Sequence, residues 1–166
     1  MPSHHHSDIR RTLLFLKKGN QVLLAMKKRG FGEGKWNGVG GKLEPGETIE
    51  QALIRECQEE IDVTPTNYWP VAELDFTQDA TTDPWHMYGY VYLCDAWDGK
   101  PRETEEMAPR WYDIDSIPYE AMWDDDKYWL ERALRGEKLV GIFTFDENDQ
   151  MINHSTQVVK KLPHEE

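Results

Sequence analysis

GGKLEPGETIEQALIRECQEEIDV, residues 40–63, decides how this chain is read. Gly41 is followed by Glu47, then by Arg55-Glu56 and by Glu59-Glu60. Thr48 and Gln51 have capping-box spacing, so a helix is expected from Thr48. Pro45-Gly46 supplies the turn before it. Ile49, Leu53, Cys57 and Ile61 recur every fourth residue, the spacing of a buried stripe. At ~100° per residue, Glu56, Glu59 and Glu60 fall in one sector of ~100° beside that stripe. Carboxylates so grouped repel one another, and a hard divalent cation with oxygen ligands, Mg²⁺ or alternatively Mn²⁺, relieves the repulsion. The competing reading is a solvated acidic helix face, which is common for charge runs.

The chain has 166 residues, enough for one domain with a sizeable core, and 39% of them are hydrophobic. Its net charge of −12 disfavours a nucleic acid polymer as partner. A small nucleotide carried in with a cation stays compatible, because the metal supplies the positive charge. Cys57 and Cys94 both sit in apolar patterns without CxxC spacing, which fits a reducing cytoplasm. No stretch approaches the ~20 apolar residues of a membrane span, and no signal peptide is visible. His4-His5-His6 reads as a terminal segment rather than a metal site.

Along the chain, residues 11–17 and 21–27 read as strands joined by a turn at Lys18-Gly19-Asn20. The loop from Lys28 to Lys35 is glycine-rich but lacks the ending of a phosphate-binding P-loop. Residues 36–41 form a short strand and turn into the acidic helix. Residues 68–77, 86–95 and 110–113 read as further strands, and 125–135 as a helix. Residues 140–146 and 151–159 form a closing hairpin. The expectation is one α/β domain with a mixed β-sheet and helices against its faces, spanning 11–160, between a flexible stretch 1–10 and a tail 161–166.

The glycine, Glu47, Arg55-Glu56 and Glu59-Glu60 spacing resembles the Nudix box, the signature of hydrolases of nucleoside diphosphates linked to another group. Two positions depart from it: Cys57 stands for an aliphatic residue and Asp62 for a glycine. Asp62 is expected in the left-handed conformation at a small stability cost. The resemblance implies the Nudix fold, a mixed β-sheet in an α/β/α sandwich. It reaches beyond the box. Met26 to Gly32, Gly34, Trp36-Asn37-Gly38, Gly40-Gly41-Lys42 and Gly46 to Glu50 closely resemble the animal oxidised purine nucleoside triphosphatase (8-oxo-dGTP diphosphatase) subfamily. So do Glu106-Met107, Pro109, Trp111, Ile117-Pro118, Met122-Trp123, Asp125-Asp126 and Tyr128-Trp129.

That similarity covers roughly residues 11–157 and implies a base pocket of Thr12, Leu13, Lys27, Phe31, Asn37, Phe76, Trp123, Asp125 and Asp126. Trp123, Phe31 or Phe76 can stack on a purine, and Asn37 offers donor and acceptor to a base edge. Two adjacent carboxylates facing one ligand do not both stay ionised, so one of Asp125 and Asp126 is expected to hold a proton. The competing reading makes Asp124 to Asp126 a helix cap and Trp123 a core residue. Gln78 stands where the subfamily has an aromatic, which suggests a more polar pocket floor. Asp124 replaces a proline.

The implied metal and catalytic group is Glu56, Glu59, Glu60, Glu106 and the Gly40 carbonyl. Arg55 and Glu47 support it, and Lys27 or Lys42 meets a phosphate oxygen. The implied reaction is hydrolysis of 8-oxo-dGTP, and of 2-oxo-dATP as a further substrate, to monophosphate and pyrophosphate, by a cytoplasmic monomer. The alternatives are a Nudix hydrolase of ADP-ribose, a dinucleotide, a capped RNA end or a normal nucleotide, and a nucleotide-sensing module without turnover.

Overall fold

Two strands that begin as a hairpin and then part company create the space on which the rest depends. In the computed structural model, which describes residues 8–165, β1 (Asp8–Lys18) and β2 (Gln21–Lys27) meet through Gly19, at φ 61°. They pair only at Lys17↔Val22 and Lys18↔Gln21. Beyond that point residues 36–42 enter the gap. β3 (Trp36–Asn37) pairs with β2, and the backbones of Val39, Gly41 and Leu43 then bond to β1. Glycine is required in this wedge. A Cβ on Gly38 would stand 2.7 Å from the Leu14 carbonyl oxygen, and one on Gly40 would stand 1.9 Å from that of Thr12.

α1 (Ile49–Ile61) follows, then β4 (Thr64–Gln78), β5 (Trp85–Asp98), β6 (Met107–Asp113), α2 (Leu130–Leu134), β7 (Leu139–Phe145) and β8 (Met151–Val158). The strands lie in the order β3-β2-β1-β5-β4-β7-β8, with β6 along the other edge of β2. The sheet is mixed: β1–β5 and β4–β7 are parallel and the remaining pairs antiparallel. Alternation along β1 sorts the core into two layers. Leu14 and Leu16 pack with Leu53, Cys57 and Ile61 of α1, whereas Phe15 packs with Leu74, Leu93, Trp129 and Leu130. The result is the expected sandwich, with α1 over one face of the sheet and α2 with its neighbouring turns over the other.

Several boundaries differ from the sequence reading. β1 starts at Asp8, inside the stretch 1–10 expected to be flexible, because Asp8, Ile9 and Arg10 pair with His86, Met87 and Tyr88. His4 to His6 lie outside the described residues. The helix expected over 125–135 is broken into a 3₁₀ turn (Asp126–Tyr128) and the short α2. Trp129 between them leaves helical geometry, at φ −139°, and its fully buried indole donates to the Asp125 carboxylate at 2.8 Å. The tail also packs: Leu162 is buried, and the backbone N–H and Nδ1 of His164 both meet the buried carboxylate of Glu73. Among the described residues no helix is long and apolar enough to cross a membrane.

Candidate active site

α1 is built as its sequence dictates. Thr48 accepts from the Gln51 N–H at 3.1 Å, and the Gln51 side chain accepts from the Thr48 N–H at 2.9 Å. The helix closes on Asp62, which is left-handed at φ 61°. Leu53, Cys57 and Ile61 are buried and Ile49 partly so. The stripe carries Glu60 inward with it, to 4% exposure, while Glu56 is half-buried and Glu59 exposed.

Arg55 organises the carboxylates. Its Nε and Nη2 donate to the two oxygens of Glu47 at 2.6 and 3.0 Å, and Nη2 also donates to the Lys42 carbonyl at 3.1 Å. Its Nη1 donates to Glu56 at 3.1 Å and to Glu59 at 3.3 Å. The guanidinium holds the Glu47 carboxyl down at about 2. Glu60 is under the opposite pressure. Burial, reinforced by the charges of Glu56 and Glu106, lifts its carboxyl to about 7, against the Gly40 N–H that donates to it at 3.0 Å and the Lys27 ammonium at 3.9 Å. Burial raises Glu56 as well. A Cβ on Gly41 would stand 2.3 Å from a Glu56 oxygen, so the glycine lets that carboxylate lie against the backbone.

Glu106 comes from the loop before β6. Its carboxylate is held low by Arg29, which donates to it at 2.6 Å, so it faces Arg29 rather than joining the helix carboxylates. Among the described residues no three acidic, histidine or cysteine side chains gather at metal-coordinating distance. The donor set nevertheless fits a hard divalent cation. Glu56 and Glu60 both present desolvated carboxylate oxygens, Glu56 made reluctant to ionise by burial against the pull of Arg55 and Glu60 by burial and the neighbouring carboxylates.

A cavity of about 1010 Å³, counted out to its open mouth, lies over β1 and β5 and reaches Gly40 and Lys27, the two residues that contact Glu60. All nine residues expected in a base pocket line it: Thr12, Leu13, Lys27, Phe31, Asn37, Phe76, Trp123, Asp125 and Asp126. Phe31 stacks on Trp123 with ring centroids 5.0 Å apart, and Lys35 sits over the same indole at 5.1 Å. The walls carry unspent polar atoms. Among the described residues, the Thr12 hydroxyl and one oxygen of Asp126 are buried without a partner. Asn37 spends its oxygen on the Gly38 N–H, at 2.8 Å, which leaves its amide nitrogen for the cavity. Buried polar groups in proteins are normally bonded, so such a set marks a place for a polar ligand.

Burial lifts the Asp125 carboxyl to about 6, opposed by the Trp129 indole bond, and burial beside Asp125 drives Asp126 well up. Both folded-state values lie above the unfolded one of ~3.9. The associated stability is therefore present below about pH 4 and is lost as pH rises through about 6, where Asp125 ionises. In Asp125→Asn that loss is absent, and the amide oxygen still accepts from Trp129. Its melting temperature, measured against the parent protein, is expected to gain a few degrees between pH 5 and 7; a constant difference contradicts the assignment.

The sequence reading missed Arg11, Lys35, Trp85, Met87, Gly89 and Phe145, which also line the cavity. Trp85, Met87, Gly89 and Val91 alternate along β5, a period of two that marks one face once Val91 is known to be core. Gln78 does not form the pocket floor: its buried amide is tied to Ala80 and Thr81.

A model of the family described as the NUDIX domain matches residues 8–133. The chain is 40% identical over 151 residues to an oxidized purine nucleoside triphosphate hydrolase of Danio rerio, covering 91% of this chain and 96% of that one. It is 38% identical over 148 residues to the protein of that name in Mus musculus, covering 89% and 94%. The crystal structure of a mutator MutT protein from Bacillus halodurans shares the fold, with a TM-score of 0.74 at 21% identity over 90% of this chain and 97% of that one.

Proposed function

Since the chain belongs to the NUDIX domain family, we propose that it hydrolyses oxidised purine nucleoside triphosphates to the monophosphate and pyrophosphate, with 8-oxo-dGTP as substrate and 2-oxo-dATP as a further one. One observation carries the reading. One cavity holds the stacked Phe31 and Trp123 rings and, among the described residues, the unpartnered Thr12 and Asp126 oxygens, and it extends to Gly40 and Lys27, which both contact the Glu60 carboxylate. The names of the relatives from fish and mouse support the same substrate class.

At neutral pH the Asp125–Asp126 pair holds one proton. The protonated member donates and the ionised member accepts. Asn37 adds its free amide N–H. Such a mixed edge suits a purine whose own donors and acceptors have been rearranged by oxidation. At the other end, Glu56, Glu59, Glu60 and the Gly40 carbonyl would hold a divalent cation, which we take to be Mg²⁺, with Glu106 swinging in from its loop. Bound there, it supplies Lewis-acid activation of phosphate and of attacking water. Arg55 fixes the orientation of Glu56 and Glu59, and Lys27, beside Glu60, lies where a phosphate oxygen gains a counter-charge. Water attacks phosphorus, the bridging P–O bond breaks, and the water proton passes to a carboxylate of α1. The acidic balance of the chain and its two buried free cysteines are consistent with a cytoplasmic monomer acting on small molecules rather than on polymers.

Because Glu60 must lose its proton to act as a ligand, cation affinity is expected to rise between pH 6 and 8, with proton release on binding. Titration calorimetry in buffers of different ionisation enthalpy reads both; pH-independent binding without proton release contradicts it. The function itself is tested by phosphorus NMR of a reaction with purified protein, Mg²⁺ and 8-oxo-dGTP. Monophosphate and pyrophosphate are expected; a diphosphate with inorganic phosphate, or no turnover, rejects the proposal.

A further inference from the structure

Arg11 and Arg10 point to opposite faces of β1 and meet opposite fates. Arg10 donates to the Tyr90 hydroxyl at 3.2 Å and lies over that ring at 5.2 Å. The Arg11 side chain enters the cavity, partly buried, and among the described residues its guanidinium makes no hydrogen bond or ion pair. Its guanidinium lies over the Phe31 ring at 5.9 Å and is attracted by the carboxylates of Glu56 and Glu60 without reaching ion-pair contact. Desolvation outweighs that attraction and lowers its pKa. A guanidinium has five donors and is rarely left unpaired at such depth.

The strand opposite makes room for it. Arg11 faces Gly89 across the β1–β5 pairing. A Cβ on Gly89 would meet nothing closer than a Phe76 carbon at 3.8 Å, and its φ is not positive, so neither backbone nor crowding demands glycine there. Its effect is to leave open space beside an unpaired cation.

We propose that Arg11 is a substrate-binding residue that grips the phosphate chain of the nucleotide beside Phe31, on the side of the cavity that feels the Glu56 and Glu60 charges, an inference that rests on the function proposed above. A planar fork of donors in a low-dielectric cavity recognises phosphate oxygens in pairs. It also anchors the first phosphate independently of the divalent cation, which separates binding of the nucleotide from the chemical step.

The test compares the parent protein with Arg11→Gln and Arg11→Lys. Affinities for 8-oxo-dGMP and for the phosphate-free nucleoside are measured without divalent cation, and turnover of 8-oxo-dGTP is measured with Mg²⁺. Arg11→Gln is expected to weaken the monophosphate by ~10- to 100-fold and to leave nucleoside affinity unchanged. Its KM should rise by a similar factor with kcat retained, and its melting temperature should not fall. Arg11→Lys, which keeps the charge without the fork, should recover part of the loss. Equal weakening of nucleoside and monophosphate, or no weakening of either, overturns the assignment while parental turnover leaves the proposed function standing. A parent protein that neither binds nor hydrolyses the oxidised nucleotide overturns both.

Discussion

Glu60→Gln is expected to lower kcat by about 10³-fold, within the 10²–10⁴ range of general acid–base and metal-ligand losses, while stability at pH 8 does not fall. The amide matches the carboxylate in shape, and its oxygen still accepts from the Gly40 N–H, which the carboxylate meets at 3.0 Å. What disappears is the charge. Burial lifts the Glu60 carboxyl to about 7, above its unfolded value, so its contribution to stability is complete in acid and is lost as pH rises through 7. The variant escapes that loss, and its melting temperature should overtake the parent's at pH 8. Activity and stability therefore move in opposite directions, the mark of a residue kept for chemistry. A variant within threefold of parental kcat would show that Glu60 takes no part in the reaction.

Gly40→Ala should be damaging for a different reason. The added carbon would fall 1.9 Å from the Thr12 carbonyl oxygen, a backbone atom of β1 that cannot rotate away. The wedge between β1 and β2 must shift as a unit, at a cost of about 3 kcal/mol, which lowers the melting temperature of a chain this size by about 10 °C. The shift also displaces the Gly40 N–H that positions Glu60 and moves Thr12, so activity should fall with stability. Gly41→Ala is the control. Its Cβ would meet a Glu56 oxygen at 2.3 Å, the free end of a side chain, so stability should change little while the displaced carboxylate costs activity. A Gly40→Ala protein that melts like the parent and keeps its activity would contradict the account of the wedge.

Local rules made α1 legible. Its cap, its four-residue stripe and its left-handed Asp62 depend on residues within one or two turns of each other, and all are in place. The reach of Arg55 to Glu56 and Glu59 follows from helical geometry alone. What depended on tertiary pairing was harder to read. Arg10 looks like part of a polar terminus and Arg11 like the exposed start of a strand, yet parallel pairing with β5 draws both into the sheet, where Tyr90 and the cavity take the two side chains. The helix expected over 125–135 is interrupted because burying the Trp129 indole against Asp125 outweighs the continuity of a five-residue helix. Residues 85–89 lie outside the recognised motifs, and only the register of β5 against β1 shows that their alternate side chains floor the cavity.

The measurement that bears most directly on the central claim is kcat/KM for 8-oxo-dGTP against dGTP, with purified protein and Mg²⁺ at neutral pH. A cavity that reads an oxidised purine edge through Asn37, Asp125 and Asp126 should favour the oxidised nucleotide by at least ~10-fold, the discrimination that one charged hydrogen bond supplies. Equal rates on the two nucleotides, or turnover confined to substrates without a purine triphosphate, would contradict it.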